Sequence, residues 1–394
     1  MDLQLQDYEK KHIDFLRQNA HECTLFLKRD NAFPVDTPCT VALYGNGARK
    51  TIKGGTGSGD VASRFFVNFE QGLTEAGFTV TTKDWLDSYD EISKNAYKDY
   101  VKETKKAAKA AGYMPVVFSM GYFPAEPEYD LPLSDSADAA IYVLSRNSGE
   151  GNDRRLIPGD VYLSKTEIHD IMWLNEHYEH FMLVLNVGGV VDLSPVMAAK
   201  NILYISQLGV VTGSMLPDII LGKANPSGKL TTTWARPEDY PTYDNFGTLQ
   251  DVDYKEGIYV GYRYFDRADG KPLFPFGFGL SYSDFEISYR ESHAEGTRIT
   301  VKAEVKNISS YPGKEVVQLY VSEPDGALDK AEKQLAAFKK TKLLAAGQTE
   351  EIELCFDLKD IAAYYEQKAC YMLEKGEYTV RLGNSSENTK AVAV

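Results

Sequence analysis

The apolar pattern of this 394-residue chain changes period part-way along, and that change limits the fold more than any other feature. Before about residue 240, short continuous apolar runs alternate with segments of helical texture. Thr40-Val-Ala-Leu-Tyr44, Ala139-Ala-Ile-Tyr-Val-Leu144, Phe181-Met-Leu-Val-Leu185 and Ile202-Leu-Tyr-Ile205 read as strands, the second of them as a buried one. Helices are predicted over 2–20, 61–76, about 90–111, 164–179 and 210–221. Ser164 with Glu167 is a capping-box start, and Ser194-Pro195 can open a further short helix. Strand and helix in alternation give a mostly parallel sheet with helices on its faces.

After Tyr282 the period becomes two. Ile299, Val301, Ala303 and Val305 share one face of a strand; Val317, Leu319 and Val321 share another. Ile352, Leu354 and Phe356 repeat the pattern, as do Tyr378, Val380 and Leu382, with turn residues such as Pro312-Gly313 and Lys375-Gly376 between them. Several short strands in about 110 residues predict a β-sandwich of immunoglobulin or fibronectin type III kind. The predicted division is therefore an α/β domain over 1–240, an aromatic connector over 241–282 and an all-β sandwich over 283–394.

Charge narrows the function. Lys and Arg number 43 and Asp and Glu 57, giving 43 − 57 = −14. Such a surface repels phosphate backbones and anionic lipid, so neither nucleic acid nor a membrane surface is an expected partner. No run reaches the roughly 18–20 apolar residues of a membrane span. The charged start, MDLQLQDYEKKH, has no apolar core of a secretory signal, and a cytoplasmic location is expected. Cys23, Cys39, Cys355 and Cys370 lack both metal-site and disulfide-scaffold spacing.

Two loops could carry chemistry. Arg146-Asn-Ser-Gly-Glu150-Gly-Asn-Asp153-Arg154-Arg155 follows the 139–144 strand, at the strand end where open α/β sheets bind ligands. Glycines flank Glu150, leaving room for a substrate at a carboxyl able to act as general acid. Asp153, Arg154 and Arg155 could orient that carboxyl or bind hydroxyls. The alternative is a plain polar loop with ordinary ion pairs. The second loop, Gly54-Gly-Thr-Gly57-Ser58-Gly-Asp60, matches neither the P-loop nor the dinucleotide fingerprint. Its amides and the Ser58 hydroxyl could touch a polar ligand, or it is a tight turn. His177 and His180 lack the third ligand a zinc site needs, so no metal site is expected.

These residues resemble family 3 glycoside hydrolases, the β-glucosidase group. Ser148-Gly-Glu-Gly-Asn-Asp-Arg154 is similar to the family's acid/base loop, and Gly159-Asp-Val-Tyr-Leu-Ser164 continues the likeness. So do Lys53-Gly-Gly-Thr-Gly-Ser-Gly-Asp60, Asn225-Pro-Ser-Gly-Lys-Leu230 with Trp234, and Tyr259-Val-Gly-Tyr-Arg-Tyr-Phe-Asp266. Phe274-Pro-Phe-Gly-Phe-Gly-Leu-Ser-Tyr282 and Gly313-Lys-Glu-Val-Val-Gln-Leu-Tyr-Val321 complete it. The resemblance implies an α/β sandwich followed by a fibronectin type III-like sandwich. It places the acid/base role on Glu150 and substrate contacts on Ser58 and Gly57, with Asp153 and Arg154 beside them. A β-linked glucoside or short oligosaccharide is the implied substrate, and no cofactor is required because two carboxylates and water suffice.

The family's nucleophilic aspartate normally sits on a (β/α)8 barrel of about 250 residues, for which this chain has no room. Asp84-Trp85 superficially resembles the nucleophile motif but falls inside the α/β domain, so it is taken as coincidence. The expectation is an N-terminal half of a reversed-order member, its barrel on a second chain or a missing part of the same polypeptide. A retaining β-glucosidase component is the leading reading. The rivals are a non-catalytic carbohydrate-binding or interaction protein from the same family and, on the glycine loop alone, a dinucleotide-binding enzyme. A homo-oligomer is compatible with each.

Overall fold

The computed structural model describes residues 4–115, 123–150, 153–245, 251–268 and 270–393. In chain order the first half holds α1 (Asp7–Asn19), β1 (Leu25–Lys28), β2 (Thr40–Tyr44), α2 (Phe69–Glu75), β3 (Thr79–Val80) and α3 (Lys83–Ala111). It continues with β4 (Ala139–Arg146), α4 (Lys165–His177), β5 (His180–Val187), β6 (Ile202–Tyr204) and α5 (Thr212–Ile220). The chain divides into two units, Met1–Ala224 with Asn245–Val252 and Asn225–Asp244 with Asp253–Val394.

In the first unit the strands form one sheet in the order β1-β6-β5-β4-β2-β3. Only β1 runs antiparallel, against β6, which makes the sheet mostly parallel as the strand–helix rhythm implies. Strand β4 is buried at every position and β5 at every position after His180, because both of their faces are covered. Helix α4 begins with the predicted capping box: Ser164 Oγ accepts from the Glu167 amide at 3.1 Å, and a Glu167 oxygen accepts from the Ser164 amide at 2.8 Å.

Two predicted helices have different bounds. The 61–76 helix covers only Phe69–Glu75, since the Asn68 side chain caps the Gln71 amide at 2.8 Å and starts the helix there. The lysine-rich helix starts earlier, at Lys83, because Trp85, Leu86 and Tyr89 bury its first turns.

Strand order reverses between β2 and β4. The path steps from β2 outward to β3, then returns across β2 to β4 and proceeds through β5 to β6. Such a reversal opens a crevice at the carboxyl ends of the two central strands. The loops leaving β2 and β4 are the two that the sequence marks for chemistry.

The second unit contains β7 (Phe285–Glu295), β8 (Arg298–Asn307), β9 (Val316–Ser322), β10 (Gln334–Lys340) and β11 (Thr349–Asp357), then β12 (Ala363–Tyr365), β13 (Cys370–Met372), β14 (Thr379–Gly383) and β15 (Thr389–Ala393). Sheets β10-β9-β14-β15 and β11-β8-β7 are wholly antiparallel. They enclose the alternating residues: Val301, Ala303 and Val305 of β8 meet Val317, Leu319 and Val321 of β9 in one core with Ile352, Leu354, Val380 and Leu382. The aromatic stretch before β7 packs within this unit. Trp234 and Phe274 exchange backbone hydrogen bonds at 2.9 and 3.0 Å, and Tyr262 stacks on Phe276 with ring centres 5.0 Å apart.

Candidate active site

The loops leaving β2 and β4 meet at the switch point. The Thr56 amide donates to the Ser148 carbonyl at 3.3 Å, and Thr56 pairs with Gly149 as one parallel bridge. Side chains are excluded where the loops touch. A Cβ on Gly149 would sit 2.4 Å from Thr56 Cβ, and one on Gly57, whose φ is +77°, would sit 2.1 Å from a Glu150 carboxylate oxygen.

That close approach brings Ser58 onto Glu150. The Ser58 amide donates to Oε2 at 3.0 Å, and its Oγ lies 3.1 and 3.2 Å from Oε1 and Oε2. Amide and hydroxyl both belong to the single turn Gly57–Gly59, so one turn fixes two directions of the carboxyl. Glu150 is otherwise exposed. The structure thus joins three of the predicted residues, Glu150, Ser58 and Gly57, from loops far apart in sequence.

Both loops are held from behind by side-chain amides. Asn46, just after β2, accepts from the Ser145 amide at 2.7 Å and donates to its carbonyl at 3.1 Å. Asn186 of β5 is fully buried; it accepts from the Ile52 amide at 2.7 Å, donates to the Ile52 carbonyl at 2.9 Å and accepts from Ser145 Oγ at 3.0 Å. It therefore anchors the chain one residue before Lys53 opens the glycine loop.

Asp153 and Arg154 lie on a neighbouring feature, a cleft of about 570 Å³ shared with Asn46, Tyr97, Phe123 and Glu126. Asp153 is exposed. Arg154 is engaged by Asp160, through Nε on the carboxylate and Nη2 on the carbonyl at 2.8 Å. Its Nη1 is buried without a hydrogen-bond partner among the described residues.

Glu126, in the cleft wall, accepts from Tyr89 Oη at 2.6 Å and from Asn46 Nδ2 at 2.9 Å. Burial, then the charge of Glu167, pushes its carboxyl up to about 7, against the pull of Arg146 and its two hydrogen bonds. Arg146 at the end of β4 forms a buried two-pronged pair with Glu167, at 2.8 and 2.6 Å. Burial works against the Arg146 charge, but Glu167 outweighs it and holds the proton more tightly.

Sequence alone gives no role to Asn46, Glu126 or Asn186, marks Asp160 only as part of the Gly159–Ser164 likeness, and marks Glu167 only as a cap. Glu126 sits in a stretch without period, and nothing local marks a buried carboxyl there. Asn186 offers a weak signal, an amide interrupting an apolar strand just before Gly188-Gly189.

The structure also weighs the other chemistries. The first α-helix after the glycine loop, α2, begins only at Phe69, so the loop does not run directly into a helix as the dinucleotide-binding motif does. His177 Nδ1 contacts the Trp173 carbonyl at 2.8 Å, and His180 Nδ1 contacts the Ala32 carbonyl at 2.6 Å. Among the described residues no three His, Cys, Asp or Glu side chains group as metal ligands.

Comparison with known proteins agrees with this layout. Residues 24–282 match the glycosyl hydrolase family 3 C-terminal domain, and residues 315–386 match a fibronectin type III-like domain. β-Glucosidase A from Butyrivibrio fibrisolvens is 36% identical, over 97% of this chain and 50% of that protein. Among solved structures, β-glucosidase 3B from Thermotoga neapolitana in complex with glycerol is similar with a TM-score of 0.79 and 34% identity, over 96% of this chain and 53% of that one. A β-glucosidase from Paenibacillus barengoltzii gives a TM-score of 0.82 at 31% identity, over 97% of this chain and 42% of that one. The chain spans about half the length of the relatives it matches.

Proposed function

This chain belongs to glycosyl hydrolase family 3, and from that premise we propose that it supplies the general acid/base, Glu150, of a retaining β-glucosidase acting on terminal β-glucosyl residues. The nucleophilic aspartate then lies on a barrel outside this chain. The observation that carries the reading is the Ser58–Glu150 pairing at the switch point, which aims a carboxyl outward from a fixed frame.

The chemistry proceeds in two displacements. As the barrel's aspartate attacks the anomeric carbon, Glu150 gives its proton to the glycosidic oxygen, and the carbon–oxygen bond breaks. Glu150, now a carboxylate, takes a proton from water as that water attacks the same carbon and expels the aspartate. The balance is glucoside plus water to glucose plus alcohol. The two carboxyls must stand about 5–5.5 Å apart, so the barrel has to close over Glu150 and shield it from bulk water. Within this chain the Ser58 amide and hydroxyl orient the carboxyl, Gly57 gives it space, and Asp153 and Arg154 line the neighbouring cleft.

The alternative is a non-catalytic carbohydrate-binding or interaction protein of the same family. Hydrolysis of an aryl β-glucoside by the purified chain, alone and mixed with a barrel-bearing polypeptide from the same source, decides between them. Silence alone and activity on mixing support the split site. Silence in both, with glucose still binding the chain, supports the carbohydrate-binding reading.

A further inference from the structure

Glu150 hangs from a segment whose two ends are tied to one residue. Arg146, the last residue of β4, donates from Nε to the Asp160 carbonyl at 2.9 Å. Arg154, four residues past Glu150, donates from Nη2 to that same carbonyl at 2.8 Å. Arg154 Nε reaches the Asp160 carboxylate as well, and the Arg155 Nε and amide both reach its Oδ2 at 3.1 Å. Arg154 and Arg155 thus converge on a carboxylate whose side chain is 13% exposed, and Arg146 on the same residue's carbonyl. Asp160 is itself fixed, because the Gly159 carbonyl accepts from the Glu126 amide at 2.8 Å and the Asp160 amide donates to the Ile157 carbonyl at 3.2 Å.

Among the described residues, Ser58 and Thr56 anchor the Glu150 loop on one side, and Asp160 anchors it at the base through Arg146 and Arg154.

We propose that Asp160 is a positioning residue for the reaction, its carboxylate holding Arg154 and Arg155 at the end of the loop and so the placement of Glu150 against Ser58. The inference rests on the acid/base reading of Glu150 and goes beyond it by naming what makes that loop competent. It also gives Arg154 a structural task through Nε and Nη2, leaving Nη1 for other contacts. A carboxyl moved by about 1 Å from its working geometry can lose on the order of 100-fold in rate.

The test compares leaving groups. Asp160→Asn and, as a variant that keeps both residues charged, Arg154→Lys are prepared in the chain assembled with its barrel. For each, kcat/KM is measured on phenyl β-glucoside, whose departure needs a proton, and on 2,4-dinitrophenyl β-glucoside, whose departure does not. A positioning role predicts a loss of about 10- to 100-fold on the phenyl substrate and less than about 3-fold on the dinitrophenyl one. It also predicts that Glu150→Gln/Asp160→Asn is no slower on the phenyl substrate than Glu150→Gln. Equal losses on both substrates, or full additivity in the double variant, overturn the proposal and leave Asp160 as a stability residue. If Glu150→Gln itself responds equally on the two substrates, the acid/base reading falls first, and this inference falls with it.

Discussion

The Ser58 amide lies 3.0 Å from a Glu150 carboxylate oxygen although the two residues are 92 apart in sequence. Each sits on a loop leaving one of the two strands between which the sheet reverses direction, and a parallel bridge from Thr56 to Gly149 seals the loops together. The Glu150 carboxyl is thereby placed by sheet topology, with the glycines removing what would keep the loops apart.

Gly57→Ala tests this closeness. The new methyl group would occupy the place of a Glu150 oxygen, and the φ of +77° strains any residue with a Cβ. In the assembled enzyme, kcat/KM on an unactivated β-glucoside should fall by roughly 10- to 100-fold, with the circular dichroism spectrum of the chain unchanged. Wild-type kinetics would show that the carboxyl does not depend on this turn.

Removing Arg146 should be expensive in stability. It is 6% exposed and pairs with Glu167, which is fully buried. Arg146→Met strands that carboxylate, and loss of one partner of a buried pair costs about 3–5 kcal/mol. Urea unfolding should register a loss of unfolding free energy of that order. The double change Arg146→Met/Glu167→Leu should recover much of the loss, since the orphaned charge disappears.

Glu126 gives the first unit a pH dependence of definite sign. Its carboxyl is raised from an ordinary 4.5 to about 7, so the folded state holds its proton more tightly than the unfolded chain does. The resulting stabilisation is fully present below about 4.5 and is lost as pH rises through about 7. It amounts to something on the order of 3 kcal/mol. Subtracting the unfolding free energy of Glu126→Gln from that of the parent at each pH should give a difference that shrinks across this window. A flat difference would remove Glu126 from the balance.

The readable parts of this chain were those where local chemistry and tertiary need coincide. The continuous apolar runs of β4 and β5 announce strands, that of β4 a buried one, and the alternation at Val301, Ala303 and Val305 announces a half-buried sheet. Ser164 and Glu167 satisfy a helix start by themselves and were visible for that reason. Glu150 and Ser58 were marked by glycines, which declare close approach before any partner is known. The short edge strands β1 and β3 take their conformation from neighbours in the sheet, and Leu25–Lys28 alone carries too little pattern to declare it. Asn68 ends the extended stretch before α2 with one side-chain hydrogen bond, which shortened the 61–76 helix. Glu126, Asn186 and Asp160 act through partners 37, 134 and 6 residues away, respectively Tyr89, Ile52 and Arg154, and the polar runs around Glu126 and Asp160 look like solvated loop in sequence.

If Glu150 gives and takes the proton, a variant without its carboxyl should be rescued by a nucleophile that needs no base. The most direct measurement adds azide to the Glu150→Gln chain assembled with its barrel, acting on 2,4-dinitrophenyl β-glucoside. This leaving group departs without acid, so a glycosyl-enzyme forms and then waits, because water lacks its general base. Azide needs no base and attacks the same carbon. The account predicts that turnover rises with azide and that β-glucosyl azide accumulates. Turnover at the parent rate, or slow turnover with no azide adduct at any concentration, would contradict it.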